Sequence, residues 1–251
     1  MKDEYAVKKT AAIVLAGGKG SRMNSELPKQ YMELCKRPVI YYALDAFEKS
    51  RVDIIVLVTG DAVIDGMDEK TFCGKNIIER YGFGKVHSIV QGGKERYNSV
   101  FNGLSALSES KNDIELVLIH DGARPCITTE LIEKCIEDAR QYKACVAAVP
   151  VKDTIKVSDE RGFAKLTPDR KLLWQVQTPQ SFDFNLIREA YEKMISDTER
   201  GNITDDAMVA ERYTDTPVKF TMSSYKNIKI TTPEDMMTAQ IFLDEKNFGK
   251  F

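Results

Sequence analysis

Ala11-Ala12-Ile13-Val14-Leu15-Ala16 is an unbroken apolar run that stops at Gly17-Gly18. A run of that length, ended by glycine, reads as a strand buried on both faces. Asp53 to Thr59 reads as a second strand, Lys85 to Gln91 as a third, Glu115 to His120 as a fourth and Ala144 to Val149 as a fifth. Helical spacing fills three of the gaps. Pro38 to Ser50 puts Ile40, Leu44 and Phe47 on one face with Pro38 at the first position, Lys94 to Leu107 follows the third strand, and Thr129 to Tyr142 follows the fourth. Strands that alternate with helices need crossover connections. The expected fold is therefore α/β and Rossmann-like, a mostly parallel sheet with helices on both faces.

The rhythm breaks after Pro150. Residues 152–171 are polar, with Ser158-Asp159-Glu160-Arg161-Gly162 as a turn between two short extended pieces. This reads as a β-hairpin arm that leaves the main body. The α/β pattern resumes at Leu172 to Val176, with a helix from Asp183 to Ser196, strands at Val218 to Met222 and Asn227 to Ile230, and a last helix opened by Thr232-Pro233-Glu234. No repeat or linker divides the chain, so residues 1–251 read as a single domain with an arm. The formal net charge of −2 gives no general attraction for nucleic acid or anionic membrane. No apolar run reaches the roughly 20 residues of a spanning helix, and the first ten residues lack a signal-peptide core, so the expected location is cytoplasmic. The five cysteines form no C-x-x-C pair, which argues against a disulfide framework or a zinc site.

In an open parallel sheet, ligands bind beyond the carboxyl ends of the strands. Four of the five strand ends carry chemistry. The first is followed by Gly17-Gly18-Lys19-Gly20-Ser21-Arg22 and then Pro28-Lys29, the third by Gly92-Gly93-Lys94, the fourth by Asp121-Gly122-Ala123-Arg124, and the fifth by Lys152-Asp153-Thr154. A glycine-rich loop lets backbone N–H groups approach phosphate oxygens. This one is neither a Walker A loop nor a dinucleotide fingerprint, since Met23 stands where the third glycine belongs. Two cations in the loop, Arg22 and Lys29, suit a triphosphate. Asp121 at a strand end is a reasonable anchor for Mg²⁺, which takes one or two carboxylates plus phosphates. His120 reads as a packed strand residue, not a base.

Six motifs carry a resemblance: Leu15-Ala-Gly-Gly-Lys-Gly-Ser-Arg22 with Pro28-Lys29-Gln30, His120-Asp-Gly-Ala-Arg-Pro125, Val149-Pro-Val-Lys-Asp-Thr-Ile-Lys156, Val176-Gln-Thr-Pro-Gln180, Thr204-Asp-Asp206 and Asn227-Ile-Lys-Ile-Thr-Thr-Pro-Glu-Asp235. In this order, from about Ala11 to the last helix, they resemble the 2-C-methyl-D-erythritol 4-phosphate cytidylyltransferase family. The resemblance implies CTP and methylerythritol phosphate as substrates, CDP-methylerythritol and pyrophosphate as products, Mg²⁺ as cofactor and isoprenoid precursor synthesis as the setting. It implies that Arg22 and Lys29 stabilise the transition state and that Ala16, Gly17, Gly93, Ser99 and Gly122 cradle the cytidine. Asp121 falls near metal and substrate. Arg124, Thr154, Arg170, Thr178, Thr204 and Lys229 fall on positions that line or support the sugar-phosphate pocket, with Arg170 and Lys229 among the catalytic set. Arg170 lies in the arm, which in the family crosses to the partner subunit of a homodimer. The chain departs from the family at Lys94, where Asp is frequent. That departure bears on one hydrogen bond to the nucleotide, not on the reaction class.

Such chemistry needs no strong general base, because the acceptor is itself a phosphate whose oxygen is already nucleophilic. The demand is to bring anions together and align them, by positioning and electrostatics. The nearest rival is a ribitol-5-phosphate cytidylyltransferase, which shares the first loop and the Gln-Thr-Pro-Gln stretch. The small Gly122-Ala123 pair favours the methylerythritol type. A nicotinamide-dependent oxidoreductase would need the third glycine and an acidic residue closing the second strand, which instead ends in Thr59-Gly60.

Overall fold

The structure is a computed structural model that describes residues 8–18, 23 and 27–247, with the side chains of 245–247 excepted. Seven strands form one sheet: β1 (Lys9–Leu15), β2 (Ile54–Thr59), β3 (Val86–Gln91), β4 (Ile114–Asp121), β5 (Ala144–Pro150), β8 (Trp174–Asp183) and β9 (Lys219–Met222). Their spatial order is β9-β5-β8-β4-β1-β2-β3. The short pair β6 (Val157–Ser158) and β7 (Ala164–Leu166) makes the arm, as the turn residues predict. β1 pairs in parallel with both β2 and β4, and β5 pairs in parallel with β9. Every residue of β2 is buried, and β1 is buried from Thr10 to Val14, which is why these strands read as continuous apolar runs.

The helices are α1 (Val39–Glu48), α2 (Glu69–Cys73), α3 (Arg96–Glu109), α4 (Thr129–Tyr142), α5 (Phe184–Ser196), α6 (Asp206–Tyr213) and α7 (Pro233–Asn247). α2 runs on through a wider-wound turn at Gly74–Glu79. Side chains of α1 and α4, including Ile40, Leu44, Ile132 and Ile136, pack with Ala12, Leu57 and Leu118 of the sheet in one buried cluster. Side chains of α3, α5 and α6, including Leu104, Ile187 and Val209, pack with Ile13, Val56 and Ile119 in another. Alternate residues of each strand thus enter separate cores on the two faces, as expected for helices on both sides.

Three local readings change. Pro38 caps α1 from outside with φ −64° and ψ 146°, so Val39 is the first helical residue. Leu172 lies in a 3-10 turn, and the strand that follows runs from Trp174 to Asp183, antiparallel to both β4 and β5. Asn227 to Ile230 forms no strand; instead the Ile230 N–H donates to the Ala123 carbonyl at 2.8 Å, tying this segment to the β4 loop. Among the described residues no helix is long and apolar enough to cross a membrane.

Candidate active site

The chain runs from β1 to β2 and β3 on one side, then crosses back to β4 on the other side of β1. The switch point of the sheet therefore falls between β1 and β4, where a crevice opens at the carboxyl ends. A cleft of about 620 Å³ lies there, a size suited to a small-molecule ligand. Its wall takes Ala16, Gly17 and Gly18 from the end of β1, Thr59 and Gly60 from β2, Gly92, Gly93 and Ser99 from β3 and α3, and Asp121 from β4. Lys29 and Lys229 line it with positive charge.

Short backbone bonds fix the wall. The Ala16 N–H donates to Val58 O at 2.7 Å, Gly92 N–H to Thr59 O at 2.7 Å, and Gly122 N–H to Leu15 O at 2.8 Å. The Gly93 N–H donates to Ser99 Oγ at 3.1 Å. A Cβ at Gly93 would stand 2.3 Å from Asn98 Cβ, so the turn onto α3 leaves no room even for alanine. Glu95 and Asn98 close the start of α3 with a reciprocal capping box.

Asp121 is the electrostatic centre. Its carboxylate lies 2.8 Å from Lys229 Nζ, 3.5 Å from Arg96 Nε and 3.9 Å from Arg124 Nε. Burial alone would push its carboxyl up, but Arg96, Lys229 and Arg124 together hold it well below the usual carboxylate range. The group is an ionised anchor that aims three cations; it is not a proton donor. Arg96 is itself clamped from behind. Its two terminal nitrogens donate to the two carboxylate oxygens of buried Asp206 at 2.7 and 2.8 Å, and the Tyr191 hydroxyl donates to the same carboxylate at 2.6 Å. Arg96 belongs to the cleft wall and was hidden in the sequence inside a helical segment. The only cue was its place directly after Gly92-Gly93-Lys94-Glu95.

His120 is fully buried, and its Nδ1 lies 3.0 Å from Thr178 Oγ1, which also accepts from the Asp121 N–H at 3.1 Å. Burial lowers its pKa from 6.5 to about 3, so the ring stays neutral in the folded chain. Between those values the unfolded chain binds a proton that the folded chain refuses, so this ring lowers stability as pH falls from about 6.5 toward 3. We expect His120→Gln to flatten the stability difference between pH 7 and pH 5 by about 2 kcal/mol, measured by urea unfolding. An unchanged difference would mean that the folded chain protonates this ring freely.

The structure thus brings together Ala16, Gly17, Lys29, Gly93, Ser99, Asp121 and Lys229 in one cleft. Gly122, Arg124 and Thr178 stand directly behind Asp121, with Arg124 Nη1 donating to the Asn227 carbonyl at 2.8 Å. Thr154, Arg170 and Thr204 are exposed and do not line this cleft; Arg170 Nη1 donates to the Lys152 carbonyl at 3.0 Å. Arg22 lies outside the described residues. Among the described residues no group of three or more His, Cys, Asp or Glu side chains could hold a metal ion.

Residues 10–245 match the family model described as IspD, 2-C-methyl-D-erythritol 4-phosphate cytidylyltransferase. The chain belongs to this family. A 2-C-methyl-D-erythritol 4-phosphate cytidylyltransferase from Lachnospira eligens is 52% identical over 233 residues, covering 92% of this chain and 98% of that protein. The protein of the same name from Lachnoclostridium phytofermentans is 45% identical, covering 95% and 98%. Among solved structures, a 4-diphosphocytidyl-2C-methyl-D-erythritol synthase from Anaerococcus prevotii aligns with a TM-score of 0.80 at 36% identity, covering 94% of this chain and 96% of that one. The family named by these matches is the one that the six sequence motifs resemble.

Proposed function

We propose that this chain transfers the cytidylyl group of CTP to 2-C-methyl-D-erythritol 4-phosphate, giving CDP-methylerythritol and pyrophosphate for non-mevalonate isoprenoid precursor synthesis. The observation that carries the reading is the cleft at the sheet's switch point, where a backbone cradle is flanked by Lys29 and Lys229 around an ionised Asp121. The acceptor phosphate oxygen attacks the α-phosphorus of CTP, and pyrophosphate leaves. Lys29, together with Arg22, neutralises the triphosphate as charge shifts to the leaving group. Lys229, aimed by Asp121, binds the incoming phosphate. Arg124 and Thr178 hold Asp121 and its strand end in place. Ala16, Gly17, Gly93 and Ser99 take the cytidine, and Gly122, whose N–H donates to the Leu15 carbonyl, holds the β1 and β4 ends together behind them.

The donor set suits a Mg²⁺ ion carried in by the triphosphate, because the cleft offers Asp121 and the phosphates would complete the shell. Bound there, the ion would offset phosphate charge. The acceptor pocket is completed by Arg170 from the arm of a second copy in a homodimer, with Thr154 and Thr204 at its margin.

Pyrophosphate release is the test. Rapid release is expected with CTP and methylerythritol phosphate. Comparable kcat/KM with ribitol 5-phosphate would overturn the acceptor assignment. CTP should exceed ATP in kcat/KM by about 10² or more, since a cradle built of backbone groups rejects a base that leaves them unpaired. Equal use of ATP would overturn the nucleotide assignment.

A further inference from the structure

Below the nucleotide end of the cleft lies a carboxylate with no part in the chemistry described so far. Glu69 opens α2 and is 2% exposed. Its Oε1 accepts from the Tyr31 hydroxyl at 2.7 Å and from Gln30 Nε2 at 3.4 Å, and its Oε2 accepts from the Ala62 N–H at 3.1 Å. Gln30 Nε2 also donates to the Ala16 carbonyl. One buried side chain therefore joins the turn that carries Lys29, the loop after β2 and, through Gln30, the loop after β1. The fit is tight: a Cβ at Gly60 would stand 2.7 Å from Glu69 Oε2, so the loop after β2 rests on the carboxylate itself.

The hydrogen bonds have a fixed direction. Burial, with Cys73 and Glu69 nearby, pushes the Tyr31 hydroxyl well above its ordinary pKa, and burial pushes the Cys73 thiol up to about 12. Both stay protonated, so Cys73 donates to Tyr31 at 3.0 Å and Tyr31 donates to Glu69. Lys29 directly precedes Gln30 and Tyr31, which are 2% and 6% exposed, in a single 3-10 turn. Where those two side chains are pinned, the root of Lys29 is pinned as well.

We propose that Glu69 is a positioning residue for nucleotide binding, fixing Lys29 and the Gly60–Ala62 loop relative to each other before the triphosphate arrives. The proposal rests on the reading of this cleft as a CTP site. It follows the general rule that ordering a site in advance removes part of the cost of binding. Glu69→Gln keeps the shape but not the acceptor pattern. Whichever way the new amide turns, its NH₂ faces a donor, either the Ala62 N–H or the Tyr31 and Gln30 donors.

The test is a double-mutant cycle on the Kd for CTP, measured by calorimetry with no acceptor present. Glu69→Gln is expected to weaken CTP about tenfold in the otherwise unaltered chain, and by less than about threefold in a Lys29→Ala background. A role confined to general stability would give the same loss in both backgrounds. Equal losses, or no loss in the single variant, would overturn the proposal. If circular dichroism shows that Glu69→Gln does not fold, Tyr31→Phe takes its place. It removes one donor and leaves the ring, so a loss of about threefold is expected, again confined to the background that retains Lys29. Failure of the unaltered chain to bind CTP would overturn the functional reading and this inference with it. Full multiplication of losses, with normal CTP binding by the unaltered chain, would overturn this inference alone.

Discussion

Lys29→Ala is expected to lower kcat for pyrophosphate release by about 10²–10³, with a smaller change in KM for CTP. The side chain lines the cleft from a turn whose next two residues are buried. A charge held in that way needs no reorganisation as negative charge moves onto the leaving pyrophosphate, and an interaction that strengthens in the transition state acts on kcat. If Lys29 only attracted the triphosphate, KM would rise and kcat would stand. A folded Lys29→Ala variant with near-native kcat would take Lys29 out of the transition state.

The second large effect concerns Arg170. Lys29→Ala and Arg170→Ala chains, each almost inactive alone, should restore activity after mixing and subunit exchange. The arm is exposed in the single chain, and its Phe163, Leu166 and Leu172 are 67%, 58% and 78% exposed, an apolar surface in keeping with burial against another copy. Arg170 does not line its own chain's cleft. If it completes the neighbour's site, a mixed dimer has one site with both defects and one with neither. Random pairing makes about half of the dimers mixed, so about one quarter of all sites should be intact. Activity that stays at the level of the separate variants, with exchange shown by mass spectrometry, would mean that each chain supplies its own Arg170 or does without it.

Much of the fold was legible because burial on both faces writes long apolar runs into β1, β2 and β4. Of β8 only the start was legible, in Leu172 to Val176, and its remainder was not, for a physical reason. Its buried residues include Gln177, Thr178 and Gln180, whose side chains are held by hydrogen bonds in place of apolar contact. Gln180, for example, accepts from the Asp206 and Ala207 N–H groups at 2.9 Å and donates to Asp205 at 3.0 Å. A strand satisfied by polar partners shows no hydrophobic period, and its direction depends on neighbours distant in sequence. α2 and α6 passed unread because they are short. In the cleft, Lys29, Asp121 and the glycines follow strand ends and could be found. Arg96 and Glu69 were missed, because beyond its place after the double glycine the first is marked by ion pairs with Asp206 and Asp121 distant in sequence, and the second by contacts that cross 38 to 39 positions.

Because β8 runs against β5 and pairs Trp174 with Pro150, the two strands are legs of one long hairpin, and the whole arm is its loop. The Val151 N–H donates to the Leu173 carbonyl at 3.0 Å, closing that loop at its neck. Nothing beyond the neck is needed to set the sheet's register. The cost of closing a loop grows only slowly with its length, so the segment from 152 to 172 can lengthen or shorten around Thr154 and Arg170 without moving the strand ends of the cleft. If a neighbouring copy takes Arg170, assembly and acceptor binding are coupled through this one loop, while nucleotide binding stays with the strand ends. A lineage that changed the arm would then have to keep Arg170 within reach of the neighbour's site, while the strand ends that hold Asp121 and Thr178 stay as they are.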